Sequence, residues 1–437
     1  MHLILGLGDT GFSCVRYLLQ QKKSIMVADT RATPSKLREC QQLFPEVSIH
    51  LGKFHEKLLE NVTTVVISPG VSLNEPVVQL ALQKNIPVIG DIELFARAVK
   101  VPIVAITGSN GKTTLTTLMG KLISDAGFRA VMCGNIGLPV LDTLQQPAPD
   151  YYVMELSSFQ LQTTFSLRAA VAVVINISPD HLDRHKDDAE YLAAKQRIYL
   201  NCEQAIVNTD EPEIWKTLSF NKSPIEFTLK TPHQNQWGLI ENYLTYGHQK
   251  IISVTDLLLQ EHHNLQNFLV ALAMGTALNM PLPAMLATLK SFSGLAHRCE
   301  RVQSHDQIRW YNDSKATNVG AAIAAIHSIG KSNTGKMILI AGGDGKGVSF
   351  ASLRAPVQKY ISQVILLGKD ADQLEIELKD CARMTRVCTI KEAVAAAKKI
   401  AQPGDVVLLS PACSSLDQYE SYVARGKDFV SAVNAHG

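Results

Sequence analysis

Short apolar runs alternate with longer stretches of helical periodicity along the whole chain. Leu3–Leu7, Thr64–Ile67, Val101–Thr107, Tyr151–Glu155 and Ala170–Ile177 read as strands buried on both faces, as do Lys336–Ala341, Gln363–Leu367 and Asp405–Leu409. Thr113–Ala126, Asp187–Leu200, His262–Leu278, Asn318–Ile329 and Lys391–Ile400 carry helix-period patterns. Strand–helix alternation of this kind predicts an α/β fold with mostly parallel sheets. The polar, turn-rich stretch Ser219–Ile252 breaks the pattern and predicts a meander of short strands inserted in the middle of the chain.

One strand runs into Thr107-Gly108-Ser109-Asn110-Gly111-Lys112-Thr113-Thr114, where the helix begins. Glycines let the backbone wrap a phosphate so that successive N–H groups point inward. Lys112 is then placed to reach the outer phosphates and the Thr113 hydroxyl to ligate Mg²⁺, although this loop is two residues shorter than the common phosphate-loop pattern. A hard divalent cation needs further oxygen, and Glu155 closes a strand where the carboxyl ends line the ligand crevice. His181 follows another strand. Its spacing to His185 also admits zinc, though only two nitrogens are in sight.

Gly6-Leu7-Gly8-Asp9-Thr10-Gly11 follows the first strand, with Asp29 further on. That is the dinucleotide fingerprint: a tight turn, close approach to a pyrophosphate and a carboxylate for a ribose hydroxyl. A nicotinamide cofactor fits it, and so does a UDP-sugar. Two phosphate-type loops, each after its own strand, are more than one sheet needs and predict separate domains.

Composition narrows the class without deciding it. With 437 residues, and about 150 per domain, two to four domains are expected. The net charge of +2, from 42 basic and 40 acidic side chains, gives no electrostatic case for nucleic acid or an anionic membrane as partner. Eight cysteines contain no C-x-x-C pair, which predicts thiols in a reducing compartment. The N-terminus lacks the basic region of a signal peptide and no apolar run approaches the roughly 20 residues of a membrane span, so a cytoplasmic protein is expected.

Taken together, the motifs resemble the Mur ligase family, and within it the branch that adds D-glutamate. The resemblance covers essentially the whole chain. It rests on Gly90-Asp91-Ile92-Glu93-Leu94-Phe95, the phosphate loop, Gly134-Asn135-Ile136-Gly137-Leu138-Pro139 and Glu155-Leu156-Ser157-Ser158-Phe159-Gln160-Leu161. It continues through Ala193-Ala194-Lys195, His263-Asn264 with Asn267, His297-Arg298 and Asn312-Asp313-Ser314-Lys315-Ala316-Thr317-Asn318. Gly342-Gly343-Asp344-Gly345-Lys346 and Ser410-Pro411-Ala412-Cys413-Ser414-Ser415-Leu416-Asp417 complete it.

The resemblance implies three domains: a Rossmann-like UDP-sugar domain over 1–91, a central P-loop ATPase domain over 92–294 and a Rossmann-like C-terminal domain over 295–437. It implies ATP-dependent ligation of D-glutamate to UDP-N-acetylmuramoyl-L-alanine through an acyl phosphate. Mg²⁺, expected as two ions, and a carbamylated lysine would serve as cofactors, in a chain expected to be monomeric. Thr10, Asp29, Thr30 and Arg31 would line the uridine pocket beside Ser68 and Gly70, with Asn135, Ser157 and Gln160 on the rest of that substrate. Gly108 to Thr114, Asn264, Asn267, Arg298 and Asp313 would hold ATP, with Lys112, His181, Lys195 and Lys315 catalytic. Thr113, Glu155, His181 and Lys195, the last as a carbamate, would hold the metal. Thr317, Lys346, Ser415 and Tyr422 would hold D-glutamate. Two positions depart from the family pattern: Asp9, where an apolar residue is expected against the base, and Tyr422, where Phe is expected. A sister ligase adding another amino acid or a folylpolyglutamate synthase, a nicotinamide dehydrogenase, and a non-catalytic nucleotide switch are the rival readings.

Overall fold

A computed structural model of the chain describes residues 1–178, 184–304 and 306–435. They form two compact units, one of residues 1–258 with 264–292 and one of residues 259–263 with 293–437.

The first unit carries two sheets. Five strands, β1 (His2–Leu5), β2 (Ile25–Asp29), β3 (Ser48–Leu51), β4 (Thr64–Ile67) and β5 (Val88–Ile89), pair in parallel in the order β3-β2-β1-β4-β5. The first sheet's order reverses at β1, so the turn after β1 opens at a switch point where ligands bind in such sheets. The second sheet has nine strands: β6 (Ile103–Thr107), β7 (Ala130–Gly134), β8 (Tyr151–Glu155), β9 (Val171–Val174), β10 (Gln204–Asn208), β11 (Ile225–Phe227), β12 (Trp237–Ile240), β13 (Tyr243–Tyr246) and β14 (Gln249–Ser253). Their order is β14-β13-β12-β11-β10-β9-β6-β8-β7. Every residue of β6 and β9 is buried, as expected of parallel strands covered on both faces.

The sequence-based expectations need three corrections. The run expected as Ala170–Ile177 pairs only as Val171–Val174, and residues 175–178 turn out of the sheet to meet the phosphate loop. The run from Leu3 ends at Leu5, because Gly6 has a positive φ of 96°. The expected meander is antiparallel only from β12 to β14, while β11 lies parallel to β10.

The second unit holds a six-stranded sheet of β15 (Glu300–Val302), β16 (Arg309–Asn312), β17 (Met337–Gly342), β18 (Gln363–Leu367), β19 (Arg383–Arg386) and β20 (Val406–Leu409). The order is β15-β16-β20-β17-β18-β19, and all pairings but β15–β16 are parallel. Apolar clusters cover both faces, one around Ile326 and Leu339 and the other around Trp310 and Phe429. Among the described residues no helix is long and apolar enough to cross a membrane.

Asp91 opens the helix Asp91–Ala98 and is only 3% exposed. Its Oδ1 has no hydrogen-bond partner among the described residues, and burial pushes the carboxyl from the ordinary 3.8 up to about 6. Folding therefore favours the protonated acid. That contribution is complete below the unfolded value and is lost as pH rises through the folded one. Asp91→Asn is expected to lessen the fall in melting temperature between about pH 4 and about pH 7, read by thermal denaturation across that range.

Candidate functional site

The order of the second sheet sets four loops side by side at its carboxyl edge. Register pairs Ile106 with Glu155, Gly134 with Glu155, and Thr107 with Val174. The loops after β7, β8, β6 and β9 are thus neighbours, and their hydrogen bonds lock the phosphate loop in shape. Ser109 N donates to Asn176 O at 3.0 Å, Asn110 N to Asn176 Oδ1 at 2.9 Å, and Ser109 Oγ to Ser178 O at 3.0 Å. Gly111 caps the helix Lys112–Asp125 with φ 81°, and a Cβ there would sit 2.8 Å from Asn267 Oδ1. Glycine is required on both counts.

Two lysines converge on this loop. Lys112 Nζ donates to Gly108 O at 2.8 Å and Ser109 O at 2.9 Å. Lys195, on the helix Asp188–Gln196 and only 2% exposed, donates to the same Gly108 carbonyl at 2.9 Å. Its ammonium also lies 4.6 Å from the Tyr191 ring centroid, and the Tyr191 hydroxyl bonds Ser109 Oγ at 3.1 Å. The sequence placed Lys195 on a helix. Its approach to the phosphate loop is the work of the tertiary fold.

Glu155 is 2% exposed. Its Oε1 accepts from Asn135 Nδ2 at 2.8 Å, while Oε2 has no hydrogen-bond partner among the described residues. Asn267 is equally buried, and both ends of its amide are open in the same sense, facing Gly111. Asn264 lies three residues earlier on the helix His262–Ala277 and so shares that face. Buried polar atoms left open cost about 1–3 kcal/mol each unless something fills them. A hard oxygen beside a triphosphate loop suits Mg²⁺, so the residues present fit the metal. Thr113 is the second residue of the loop's helix. His181 lies outside the described residues. His185 Nε2 bonds Ser158 Oγ at 2.9 Å and its ring stacks on Phe159.

A cleft of about 980 Å³ opens beside these loops. One wall comes from the first sheet: Gly6, Gly8 to Phe12, Asp29 to Arg31, and Ser68 to Val71. The other comes from the second: Gly134 to Pro139, Asp142 and Gln160. A Cβ on Gly11 would overlap the Gly6 carbonyl oxygen, so the fingerprint glycine is there for close packing. Asp29 accepts from Leu7 N at 2.7 Å, from Arg31 N at 2.9 Å and from the Arg31 guanidinium. Burial opposes that charge, yet the hydrogen bonds win and hold the carboxyl below its usual range. Thr10, Thr30, Ser68, Gly70, Asn135 and Gln160 all line the cleft. Ser157 caps the helix Ser158–Gln162 in a reciprocal box with Gln160, which fixes the Gln160 side chain. Asp9 faces Lys36 at 3.4 Å.

Sequence reasoning missed Phe12, Arg16, Lys36 and Asp142, which also line the cleft. Phe12 and Arg16 sit four apart on the helix that the fingerprint opens, a signal that was available. Lys36 and Asp142 carried none.

In the second unit Asp313 is buried, accepting from Ser410 Oγ at 2.8 Å and Cys299 N at 3.2 Å. Burial raises its carboxyl to about 7. Lys315 lies 5.4 Å from the Tyr422 ring centroid, so the aromatic face at position 422 supports a cation. Lys346 is exposed on the turn after β17 with φ 57°, and Asp344 Oδ1 accepts its N–H at 2.9 Å. Asp344 N in turn donates to Ser414 O at 3.0 Å, which ties the Lys346 turn to the segment of Ser415. Thr317 N donates to Lys315 O at 2.8 Å, just before Asn318 caps the helix Val319–Ser332. Arg298 is partly buried and follows His297, whose carbonyl accepts from Lys315 N at 3.1 Å.

Three family models match the chain in series: Mur ligase MurD-like N-terminal domain over residues 1–90, Mur ligase middle domain over 106–275, and Mur ligase glutamate ligase domain over 297–413. The chain belongs to the Mur ligase family. Curated relatives named UDP-N-acetylmuramoylalanine–D-glutamate ligase include one from Coxiella burnetii, 47% identical over 99% of this chain and 98% of that one. Another, from Legionella pneumophila, is 43% identical over the same shares. Among solved structures, a pseudomurein peptide ligase type C from Methanothermus fervidus aligns with a TM-score of 0.59 at 17% identity, covering 99% of this chain and 100% of that one. The UDP-N-acetylmuramate-alanine ligase of Thermotoga maritima aligns at 0.58 and 16%, covering 100% and 99%. These two similarities establish the Mur ligase fold and nothing finer.

Proposed function

We propose that the chain is an ATP-dependent amide ligase of peptidoglycan synthesis that joins D-glutamate to UDP-N-acetylmuramoyl-L-alanine, releasing ADP and phosphate. Relatives of that name, similar over nearly the full length, support the substrate choice. One observation carries the chemistry: Asn135 lines the nucleotide-sugar cleft and its amide holds Glu155, whose other oxygen is open beside the phosphate loop. Asn135 and Glu155 thus connect the cleft to the phosphate loop through a single hydrogen bond.

A carboxylate does not accept an amine at neutral pH, because oxide is a poor leaving group. In the proposed reaction a carboxylate oxygen of the UDP-substrate attacks the γ-phosphorus of ATP, and the bond to ADP breaks. The amine of D-glutamate attacks the acyl carbon and loses a proton, and phosphate departs with the former carboxylate oxygen. Gly108 to Thr114 wrap the triphosphate, with Lys112, Arg298 and Lys315 as fixed cations and Asn264, Asn267 and Asp313 as further ATP contacts. Bound Mg²⁺, as two ions, would neutralise phosphate oxygens from positions held by Thr113, Glu155, His181 and a carbamate on Lys195. Thr10, Asp29, Thr30, Arg31, Ser68, Gly70, Asn135, Ser157 and Gln160 bind the UDP-sugar. Residues 1–91, 92–294 and 295–437 act as the three domains, and the setting is the cytoplasm.

D-Glutamate falls to Thr317, Lys346, Ser415 and Tyr422. Lys346→Ala is expected to raise the KM for D-glutamate about tenfold to a hundredfold, the equivalent of a lost charge-assisted hydrogen bond at about 1.5–3 kcal/mol. The KM for ATP should hardly move. Steady-state kinetics with each substrate varied in turn reads both, and an unchanged D-glutamate KM removes Lys346 from that site. The function itself is tested by phosphate release with ATP, the UDP-substrate and each amino acid in turn. Release should depend on D-glutamate, and equal release with other amino acids would favour a sister ligase.

A further inference from the structure

Two arginines link segments of the first sheet to segments of the second around the nucleotide-sugar cleft, Arg16 from within its lining and Arg184 from behind the lining loop Pro69–Val71, and neither has a role in the reaction above. Arg16 leaves the helix Asp9–Gln20 of the first sheet and forks onto Asp142 of the helix Val140–Thr143, which follows β7 of the second. Its Nε lies 3.2 Å from Asp142 Oδ1 and its Nη2 2.5 Å from Oδ2. The guanidinium rests 4.4 Å from the Phe12 ring centroid. Arg184 runs the opposite way. It follows β9 of the second sheet, lies 4.4 Å from the Phe159 ring centroid, and donates to three successive carbonyls of the loop after β4. Those contacts are Nη2 to Pro69 O at 3.1 Å, Nη2 to Val71 O at 3.2 Å and Nη1 to Gly70 O at 3.4 Å.

Phe12, Arg16, Asp142, Pro69, Gly70 and Val71 all line the cleft. Arg16 therefore ties one lining wall to the other, and Arg184 ties the lining loop Pro69–Val71 to the chain that follows β9 of the second sheet. Each is also fixed against a phenylalanine face, which removes the rotamer freedom a long side chain would otherwise lose on binding. Chain connections alone do not set the separation of two walls on different sheets. A planar guanidinium forked onto a carboxylate, or spread over three carbonyls, does so with defined geometry.

We infer that Arg16 and Arg184 are positioning residues that brace the two walls of the cleft at the width a nucleoside diphosphate-sugar requires. The inference rests on the reading of that cleft as the UDP-sugar site. Braced walls bind by preorganisation, so losing a brace weakens ground-state binding and raises KM with little change in kcat. The Asp142 pair is partly exposed, 28% and 21% by side chain, so its importance lies in geometry more than in charge.

The test uses the full chain and UDP as the probe, with binding measured by calorimetry. Arg16→Ala and Arg184→Ala should each weaken UDP binding about tenfold and raise the KM for the UDP-substrate in parallel, leaving the ATP KM within about twofold. The exchanged pair Arg16→Asp with Asp142→Arg should recover most of the affinity, which a general loss of stability would not allow. Arg184→Lys keeps the charge but cannot reach three carbonyls, and should behave like Arg184→Ala. If Arg16→Ala does not fold, Arg16→Lys, which loses the fork and the stacking, takes its place with the same expected direction. Unchanged UDP affinity in folded Arg16 and Arg184 variants overturns the bracing. An unaltered chain that binds no UDP overturns the cleft assignment, and this inference with it.

Discussion

Lys112→Ala is expected to reduce D-glutamate-dependent phosphate release by at least about a hundredfold while the melting temperature holds. Removing one preorganised donor from a developing negative charge typically costs about a hundred- to a thousandfold in rate. Lys112 opens the helix behind the phosphate loop, and its ammonium already lies over that loop, held by the Gly108 and Ser109 carbonyls at 2.8 and 2.9 Å. Those carbonyls keep it in place without neutralising it, so it is ready for the outer phosphates of ATP. The loop's shape comes from other contacts, from Asn176 and Ser178 in particular, which is why the fold should survive the change. Turnover close to that of the unaltered chain in the Ala variant would remove the phosphate-loop assignment.

Lys195 should carry a carbamate in the working enzyme, and Lys195→Ala should be close to inactive. The side chain is 2% exposed and its Nζ sits 2.9 Å from the Gly108 carbonyl, next to the place where Mg²⁺ and the triphosphate would lie. A bare ammonium there would repel the metal. Attack of the neutral amine on carbon dioxide, with loss of a proton, turns that charge from positive to negative and adds two hard oxygens of the kind Mg²⁺ prefers. The carbamate keeps one N–H, enough to retain the bond to Gly108. With isotopically labelled bicarbonate, the carbon NMR spectrum should show a carbamate resonance in the unaltered chain and none in Lys195→Ala. A spectrum without that resonance, in the presence of Mg²⁺ and nucleotide, would refute the modification.

The parts of this architecture that the sequence announced are the ones whose signals are local. Strands such as β6 and β18 are buried throughout because both faces are covered, and their nearly unbroken apolar runs betray them. Strands β3 and β19 lie at sheet edges with exposed residues, and nothing in Ser48–Leu51 or Arg383–Arg386 separates them from loop. The phosphate loop was legible since strand, glycine, lysine and helix start are consecutive. Asn135 could be named only by resemblance, and its bond to Glu155 comes from the register of β7 against β8. Arg16 and Asp142 are 126 positions apart, and no pattern along the chain links them. Lys346 adopts a left-handed backbone that its neighbouring glycines hint at but do not require.

The ligase reading is tested most directly by following one oxygen atom. With the substrate carboxylate of UDP-N-acetylmuramoyl-L-alanine labelled with heavy oxygen, the chain should release phosphate carrying a single labelled oxygen, only when ATP and D-glutamate are both present, alongside the amide product. Unlabelled phosphate, or phosphate released without amide, would contradict the account.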